Sequence, residues 1–313
     1  MGGMHGMFGM NLSDLIMSYP MHPSHHSSDN GDRYLRTVHP KKSLGQHFLI
    51  APDVARRMAE ALDPNGPKDV LEVGPGKGAV TRFLIGPHPQ ALSQGEGRNL
   101  TAHHRVQGDG SGYRVHVVDL DKRMCDYIAE QLPQLRGRIL NRDFLELDFD
   151  LITDRFQLIG SFPYNISSQI VFRMLENRER IPVMVGMFQR EVAKRIVSPH
   201  GNKDYGILSV LTQTFYDTEL LFNVKPGSFS PPPKVMSSVI RLRLKPKVKL
   251  KDEEFFFRVV KAAFNQRRKM LRNSLAQLIA DAPPQVERFL TKRPEQLTVQ
   301  EFRELAEWLK PGT

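Results

Sequence analysis

A glycine-rich segment, Glu72 to Gly78 (EVGPGKG), lies between an apolar run and a short helix-like stretch. Glycine lacks a Cβ, so glycines at a strand-to-helix turn let the backbone approach a ligand closely and direct the helix N-terminus at it. The segment therefore predicts a site for a nucleotide-like cofactor around Gly74 and Gly76. Alone it does not separate dinucleotide enzymes from methyltransferases, and some glycine turns bind nothing.

The next acidic residue along the chain supports a cofactor with a ribose. Asp119 ends the following predicted strand, where a carboxylate can accept hydrogen bonds from ribose hydroxyls. It lies 45 residues beyond Gly74, and only 18 when the Gly-, His-, Gln- and Ser-rich segment 86–112 is left out as a surface insertion. Asp121 competes for the same role, and either residue could instead be a solvated acid in a turn.

A third acidic residue, Asp143, follows the predicted strand Arg138 to Leu140. In a parallel sheet it would lie at the carboxyl edge of the strands, where ligands bind, and could accept from an adenine amino group. An isolated aspartate there is more often a helix cap. The ligand role is favoured by its position relative to Gly74 and Asp119.

The segment Ile159 to Ser168 (IGSFPYNISS) directly follows another predicted strand. It resembles the Asn-(Leu/Ile/Phe)-Pro-Tyr motif of adenine-N6 methyltransferases. The wider sequence resembles the ribosomal small-subunit RNA adenine dimethyltransferase family, whose other motifs are matched in order by Lys42 to Leu49, Phe229 to Val235 and Ala263 to Lys269. The likeness runs from about Pro40 to Leu309 apart from the insertion, and four separate motifs argue against chance.

The resemblance implies that S-adenosylmethionine donates two methyl groups to N6 of each of two neighbouring adenines near the 3′ end of small-subunit rRNA. An adenine amino nitrogen is a weak nucleophile because its lone pair is delocalised into the ring. In the family, an Asn side-chain oxygen and a backbone carbonyl accept hydrogen bonds from the amine, while the Tyr ring stacks on the flipped base. The implied partner is the small ribosomal subunit or its assembly intermediate, in ribosome biogenesis.

The resemblance also implies roles for individual residues. Those expected to line the cofactor pocket are His47, Leu49, Gly74, Gly76, Asp119, Asp143 and Ser161. Those expected to face the target amine and base are Ser161, Pro163 and Tyr164, with Phe229 as a second stacking wall. Without the adjoining proline-rich motif, core packing would be the favoured interpretation of Phe229.

The sequence departs from the family motif at Ser161, which stands where the motif has Asn. A serine hydroxyl is shorter and a weaker acceptor than an amide oxygen. One alternative is therefore a ribosome-assembly or RNA-binding factor that keeps the fold but methylates slowly or not at all. Another is a large-subunit rRNA adenine methyltransferase of the macrolide-resistance class, which shares the Pro-Tyr motif. The helical tail and the segment Phe264 to Lys269 favour the small-subunit enzyme.

The elements that position these residues alternate between short apolar runs and amphipathic stretches, which predicts an α/β fold with a mainly parallel sheet. Strands are predicted at Asp69 to Val73, Val115 to Val118, Arg138 to Leu140, Phe156 to Ile159 and Val183 to Phe188, and Val235 to Leu244 is expected to close the sheet. Helices are predicted at Val54 to Leu62, Ala79 to Leu84, Lys122 to Leu132, Ser168 to Leu175, Glu253 to Phe264, Gln266 to Ile279, Pro284 to Leu290 and Val299 to Leu309.

Three regions are expected along the chain. Residues 1–39 are rich in Gly, Met, His and Ser and predict a flexible extension. Residues 40–246 predict a Rossmann-like S-adenosylmethionine-dependent methyltransferase domain, with the surface insertion at about 86–112. Residues 247–313 predict a small all-helical RNA-binding domain.

The net charge of +10 is concentrated in the C-terminal region. From Arg241 to Thr313 there are 17 Lys and Arg against 9 Asp and Glu, which is typical of a nucleic-acid-binding module beside a nearly neutral body. A cluster of cations on the predicted helix Gln266 to Ile279 is expected to contact RNA phosphates, although such runs are often solvated helix faces. Its members are Arg267, Arg268, Lys269 and Arg272.

Composition argues against several other classes. No apolar run approaches the roughly 20 residues that cross a bilayer, and no secretory signal is recognisable, so a cytoplasmic protein without a membrane partner is expected. Cys125 is the only cysteine, which excludes a disulfide framework and disfavours the two-thiol mechanism of pyrimidine methylation. No ligand cluster suggests a metal, and a monomer is the default expectation.

Overall fold

The computed structural model describes residue 40 and residues 46–86, 112–279 and 282–310. The predicted extension 1–39 and most of the predicted insertion lie outside these residues. The two described ends of the insertion lie beside each other, since a Cβ built on Gly112 would be 3.7 Å from the carbonyl oxygen of Gly86. The chain can therefore leave and re-enter the fold at one point there.

The strands of the described residues are mostly short, and the central ones consist of apolar, β-branched runs. Their bounds are β1 Phe48–Leu49, β2 Asp69–Val73, β3 Arg114–Asp119, β4 Ile139–Asn141, β5 Gln157–Ser161, β6 Val183–Gln189, β7 Tyr216–Val224, β8 Phe229–Ser230 and β9 Ser237–Leu244.

The helices of the described residues pack on both faces of the sheet and after it in the chain. Their bounds are α1 Pro52–Glu60, α2 Thr81–Leu84, α3 Lys122–Gln131, α4 Ser167–Glu176, α5 Arg190–Val197, α6 Ile207–Phe215, α7 Glu253–Asn265, α8 Leu271–Ser274, α9 Glu287–Leu290 and α10 Val299–Leu309. Short 3₁₀ turns lie at Pro133–Leu135, Phe149–Leu151, Pro226–Ser228, Pro284–Val286 and Pro294–Gln296. None of the helices described has the length and apolar composition needed to cross a membrane.

Seven strands form one sheet in the order β4-β3-β2-β5-β6-β9-β7. The first five are parallel, whereas β9 pairs antiparallel with both β6 and β7. A separate antiparallel pair joins β1 to β8, which brings the N-terminal motif next to the proline-rich motif. The sheet confirms the predicted α/β fold, with each predicted parallel strand found within two residues of its expected ends.

The apolar core is divided between two clusters of buried side chains. One combines Leu71, Leu158 and Met184 of the sheet with α4, α6 and the C-terminal helices, including Phe256 and Phe302. The other packs α1, α3, β1 and β8 against the sheet. The C-terminal helices therefore share a continuous apolar core with the sheet, and the expected domain boundary near residue 246 stays a prediction.

Side-chain caps fix where several helices begin. Asp121 accepts from the backbone N–H of Arg123 at the start of α3, and Asp252 accepts from that of Phe255 at the start of α7. At α10, Thr298 and Glu301 form a reciprocal capping box. The caps agree with the predicted starts of these three helices.

The prediction that Val235 to Leu244 closes the sheet is wrong. The strand forms as β9, but β7 lies outside it and is the edge. Residues along β7 alternate irregularly between exposed and half-buried positions, because one side of an edge strand faces solvent. Five of the nine residues of β7 are apolar, but a β-bulge between Leu220 and Phe222 interrupts the register, and the strand was not predicted from the sequence.

The prediction of one helix from Gln266 to Ile279 is also wrong. α7 ends at Asn265, a turn follows in which Lys269 N–H donates to the Gln266 carbonyl at 2.7 Å, and only Leu271–Ser274 is helical after it. No Gly or Pro marks the break. It is stabilised by tertiary contacts, since Leu271 is buried and its N–H donates to the carbonyl of Lys292.

Gly160 on β5 generates a stability prediction. A Cβ there would lie 2.5 Å from the carbonyl oxygen of Val73 on β2 and 2.7 Å from the ring of Phe162. Gly160→Ala should therefore lower the free energy of unfolding by roughly 1–3 kcal/mol, measured by urea denaturation.

Gly227→Ala is the matched control, because a Cβ there meets no atom of the described structure within 4 Å. Its free energy of unfolding should stay within about 0.5 kcal/mol of the parent. Equal stability of the Gly160→Ala variant and the parent would contradict the close approach of β5 to β2.

Candidate active site

The backbone pairing of the parallel strands places three predicted site residues in one row. Val73 pairs with Val118 on one side and with Gly160 on the other, so the residues that follow, Gly74, Asp119 and Ser161, leave the sheet side by side. The Gly74 N–H donates to the Val118 carbonyl at 2.9 Å and extends the pairing by one step. This row lies at the carboxyl edge, where ligands of parallel sheets bind.

The glycine turn after β2 needs its glycines. Gly74, Gly76 and Gly78 have φ of 67°, 53° and 75°, a region that residues with a Cβ rarely adopt. At Gly76 a Cβ would also lie 3.1 Å from the ring of Phe48 on β1. The turn thus presents bare backbone at the row, which fits the prediction of a cofactor cradle there.

Asp119 and Asp121, the two candidates for a ribose-binding acid, differ in their surroundings. The Asp121 carboxylate accepts from the Arg123 side chain at 2.5 and 3.0 Å and from Gln46 at 3.2 Å. Burial raises the pKa of Asp121, but these hydrogen bonds outweigh burial and lower it overall. Asp121 is thus committed to an ion pair and to the α3 cap.

Asp119 accepts fewer hydrogen bonds than Asp121 within the described structure. Its Oδ1 accepts from the Asp121 N–H at 2.8 Å, and burial raises its pKa to about 6. A carboxylate that is largely buried and has few donors gains most from new ones. Of the two acids, Asp119 is therefore the better placed to accept from ribose hydroxyls.

Asp143 lies two residues beyond the end of β4, and β4 pairs with β3 beside Asp119. Its Oδ1 accepts from the Leu145 N–H at 2.8 Å and so fixes a turn, whereas the alternative considered from the sequence was a helix cap. The turn-stabilising role is observed, and the adenine-binding role stays a prediction.

The segment after β5 is held by the packing of Phe162. Its ring is 1% exposed and meets that of Phe188 edge-on at 5.1 Å, while its N–H donates to the Met187 carbonyl at 3.2 Å. Gly186 on β6 makes room for these rings, since a Cβ there would lie about 2.5 Å from both. Ser161 and Pro163, on either side of Phe162, are thereby held at the edge.

Tyr164 is held on two sides. Its hydroxyl lies 2.6 Å from the hydroxyl of Ser237, and its ring stacks on that of His47 with the centroids 5.8 Å apart. His47 is fixed in turn, because its Nδ1–H donates to the Pro231 carbonyl at 2.8 Å. His47 is predicted to line the cofactor pocket, and Tyr164 is predicted to face the target base. The structure places the two rings in contact.

Leu49 and Phe229 are core residues in this structure. They face each other across the β1–β8 pair, and both are buried in the apolar cluster beneath it. Phe229 is only 3% exposed, which agrees with the packing interpretation. A base could stack on its ring only after β8 moved.

Known proteins share this arrangement of fold and motifs. The family model described as ribosomal RNA adenine dimethylase matches residues 38–89 and 111–309. The chain belongs to the ribosomal RNA adenine dimethylase family. The unmatched residues 90–110 lie inside the segment predicted to be an insertion.

Relatives of this dimethylase-family chain extend over most of its length. It is 43% identical over 274 residues to the ribosomal RNA small subunit methyltransferase A of Parabacteroides distasonis, covering 87% of this chain and 94% of that protein. It is also 43% identical to the methyltransferase of the same name from Cytophaga hutchinsonii, covering 88% and 99%.

Two solved structures share the fold. A dimethyladenosine transferase from Plasmodium falciparum superposes with a TM-score of 0.65 at 21% identity, covering 83% of this chain and 96% of that one. The 23S rRNA methyltransferase ErmE superposes with a TM-score of 0.59 at 24% identity, covering 83% and 99%. At these identities the likeness shows the methyltransferase fold alone.

In this dimethylase-family chain, three residues of the predicted cationic cluster lie on the turn after α7, and the fourth, Arg272, lies in the short helix α8. Arg268, Lys269 and Arg272 are exposed, whereas Arg267 is half-buried and donates to the Asn202 carbonyl at 3.2 Å. Arg267 also lines a pocket of about 230 Å³ with residues that the sequence analysis did not single out. The cationic ones are Arg195 and Lys203.

Three further residues near the site were missed. Gln46 reaches Asp121, Ser237 reaches Tyr164, and Glu72 lies buried beneath the glycine turn. The alternation along β9 predicts that Ser237 points to one face, but the sequence does not reveal the partner of a lone serine. A charged residue inside the otherwise apolar strand DVLEV was the clue to Glu72.

Glu72 generates a prediction about stability and pH. It is 2% exposed, its Oε2 has no hydrogen-bond partner in the described structure, and burial raises its pKa from 4.5 to about 7. Between these two values the native state holds a proton that the unfolded state has released, so stability falls as the pH rises from about 4.5 to 7.

Glu72→Gln removes this titration. The variant should match the parent at pH 4 and exceed its free energy of unfolding at pH 8 by up to about 3 kcal/mol, measured by urea denaturation at both values. Glu130→Gln on the exposed side of α3 is the control and should differ little at either pH. A parent advantage at pH 8 would show that the ionised carboxylate stabilises the fold.

Proposed function

We propose that this chain transfers methyl groups from S-adenosylmethionine to N6 of two adjacent adenosines near the 3′ end of small-subunit rRNA, during ribosome assembly. The observation that carries the proposal is the alignment of Gly74, Asp119 and Ser161 at one sheet edge, with Tyr164 fixed beside them. Support also comes from relatives at 43% identity that are named ribosomal RNA small subunit methyltransferase A.

S-adenosylmethionine fits the residues at the edge. The bare backbone at Gly74 and Gly76 allows close approach, and Asp119 and Asp143 suit donors such as ribose hydroxyls and an adenine amino group. When bound, the cofactor supplies an electrophilic methyl group on a sulfonium. His47 and Leu49 would support the pocket from β1 and the residue before it.

The target adenine would meet Ser161, Pro163 and Tyr164. The amine attacks only when its lone pair is drawn out of the ring, so acceptors must bind its hydrogens. Ser161 offers a hydroxyl oxygen, and the backbone carbonyls of this segment are the other acceptors available. Tyr164 would stack on the base with the ring face that His47 leaves open, while Phe229 holds β8 beneath and would form a second wall only if β8 moved.

The rRNA would be held mainly through its phosphates. Arg268 and Lys269 are exposed on the turn after α7, and Arg272 is exposed on α8. Arg195, Lys203 and Arg267 line the pocket near them, together with Asp204. Phosphate contacts orient a nucleic acid without reading its sequence. We further propose that the chain acts as a monomer on a small-subunit assembly intermediate. The cytoplasm is the proposed location, because the assembly intermediate would be made there.

Ser161 is the one observation that favours a second candidate. If the hydroxyl is too short an acceptor, the chain would bind the subunit and the cofactor but methylate slowly or not at all. The named relatives favour the enzyme over this binding factor.

Labelled S-adenosylmethionine and undermethylated small ribosomal subunits test the function. The parent protein should transfer up to two methyl groups per target adenine, and Ser161→Asn should do so faster by roughly two to three powers of ten, because a longer acceptor reaches the amine. Ser161→Ala should be slower than the parent. Methyl groups per adenine are counted over time.

Large subunits serve as the substrate control and should remain unlabelled. Exclusive labelling of large subunits would overturn the substrate assignment. Transfer by Ser161→Asn alone, with the parent still binding subunits, would identify a binding factor instead of an enzyme.

The raised pKa of Asp119 predicts how cofactor binding depends on pH. The ionised carboxylate accepts hydrogen bonds from ribose hydroxyls, and the protonated one does so poorly. The affinity for S-adenosylmethionine should therefore fall as the pH drops below about 6, the pKa of Asp119. At pH 5 the Kd for S-adenosylmethionine should be about tenfold above its value at pH 7.5, measured by isothermal titration calorimetry. In Asp119→Asn the Kd should no longer change between these two pH values. An unchanged pH dependence in that variant would exclude Asp119 as the responsible group.

A further inference from the structure

We propose that Ser237 is a positioning residue whose buried hydroxyl fixes the Tyr164 ring for stacking on the target base. The inference rests on the proposed function, since it concerns the same site. Ser237 belongs to none of the motifs that suggested the activity. It lies two residues beyond the end of the proline-rich motif.

The topology explains why a serine of β9 reaches this site. β9 runs antiparallel to β6, so its first residue lies where β6 ends, and Ser237 pairs with Gln189 at that point. On its other side Ser237 pairs with Val224 of β7. Its backbone is therefore fixed from both sides at the same carboxyl edge as Ser161.

The bond between the two hydroxyls is short and sheltered. Ser237 is 0% exposed, and its Oγ lies 2.6 Å from the Tyr164 hydroxyl. Burial raises the pKa of Tyr164, so at neutral pH the phenol keeps its proton and one hydroxyl donates to the other. Leaving the buried Ser237 hydroxyl without a partner would be costly, which favours a single ring orientation.

His47 restrains the same ring at its face. The His47 and Tyr164 rings stack at 5.8 Å with planes 30° apart, and His47 is itself bonded to Pro231. The ring is thus held by its edge through Ser237 and by one face through His47. Under the proposed function, the adenine would stack on the opposite face.

This arrangement explains why the position carries a tyrosine rather than a phenylalanine. Stacking needs only an aromatic ring, and a phenyl group would provide it. The hydroxyl adds an anchor whose partner is Ser237. A 1 Å misplacement of a group near the chemistry can lower a rate by up to about a hundredfold, so such an anchor matters for kcat.

The test compares full-length variants in methyl transfer to undermethylated small subunits. Ser237→Ala should lower kcat about tenfold, the equivalent of one lost hydrogen bond, and leave KM for S-adenosylmethionine unchanged. Tyr164→Phe should show the same loss. The double variant should lose no more than either single variant, because both remove one bond. Ser237→Thr keeps a hydroxyl and should retain most of the rate.

Ser238→Ala is the matched control. Ser238 is also 0% exposed, and its Oγ donates to the Asn223 side chain at 2.7 Å, so the alanine variant loses a hydrogen bond as Ser237→Ala does. The Ser238 side chain points to the other face of β9. Its kcat should equal that of the parent even if its thermal stability falls. An equal loss of kcat in Ser238→Ala and Ser237→Ala, an unchanged kcat in Ser237→Ala, or multiplying losses in the double variant would overturn the proposal.

A second readout separates this inference from the function on which it rests. If the parent transfers no methyl group to either subunit, the proposed function fails. Nuclear magnetic resonance of ¹³C-labelled tyrosine rings then decides the positioning role. Faster ring flips of Tyr164 in Ser237→Ala but not in Ser238→Ala would support it, and identical spectra in the two variants would exclude it.

Discussion

The site depends on the hydrogen-bond register of the parallel strands β3, β2 and β5. Because Val73 pairs with Val118 on one side and with Gly160 on the other, the chain leaves all three strands at the same level, and Asp119, Gly74 and Ser161 come together. A shift of one strand by a single residue would turn its side chains to the opposite face and remove its contribution. Residues that are up to 87 positions apart in the sequence thus form one edge.

Close packing below the edge keeps this register. The Val73 carbonyl approaches Gly160, and the Phe162 and Phe188 rings fill the space that Gly160 and Gly186 leave. A side chain at either glycine would displace a ring or a strand. The rigidity of the segment Ser161 to Tyr164 therefore comes from buried apolar contacts and not from the polar groups proposed to do the chemistry.

The parallel strands and the residues at their ends are predictable from the sequence, because buried strands have continuous apolar runs and the turns after them have distinctive glycines and acids. Elements whose form depends on tertiary contacts are not predictable in this way. β7 is an edge strand whose register is interrupted by a β-bulge between Leu220 and Phe222, and the helix α7 ends at Asn265 within a run of good helix formers. The hydroxyl pair of Tyr164 and Ser237 joins residues 73 apart, and no local pattern in one sequence indicates such a partner.

Negative and positive side chains lie at different sites, which the proposed function assigns to the cofactor and to the RNA. The cofactor edge carries buried or largely buried acids, Glu72 and Asp119, whereas cations gather on the turn after α7 and around the adjacent pocket. The ionised Asp119 carboxylate repels phosphates and attracts a cationic sulfonium, so under the proposed function an RNA backbone would be favoured at the turn and disfavoured at the cofactor edge. Only a single base, which has no charge, can enter between them at low electrostatic cost. Under the proposed function, this arrangement would direct a flipped base, rather than the phosphate chain, toward Tyr164.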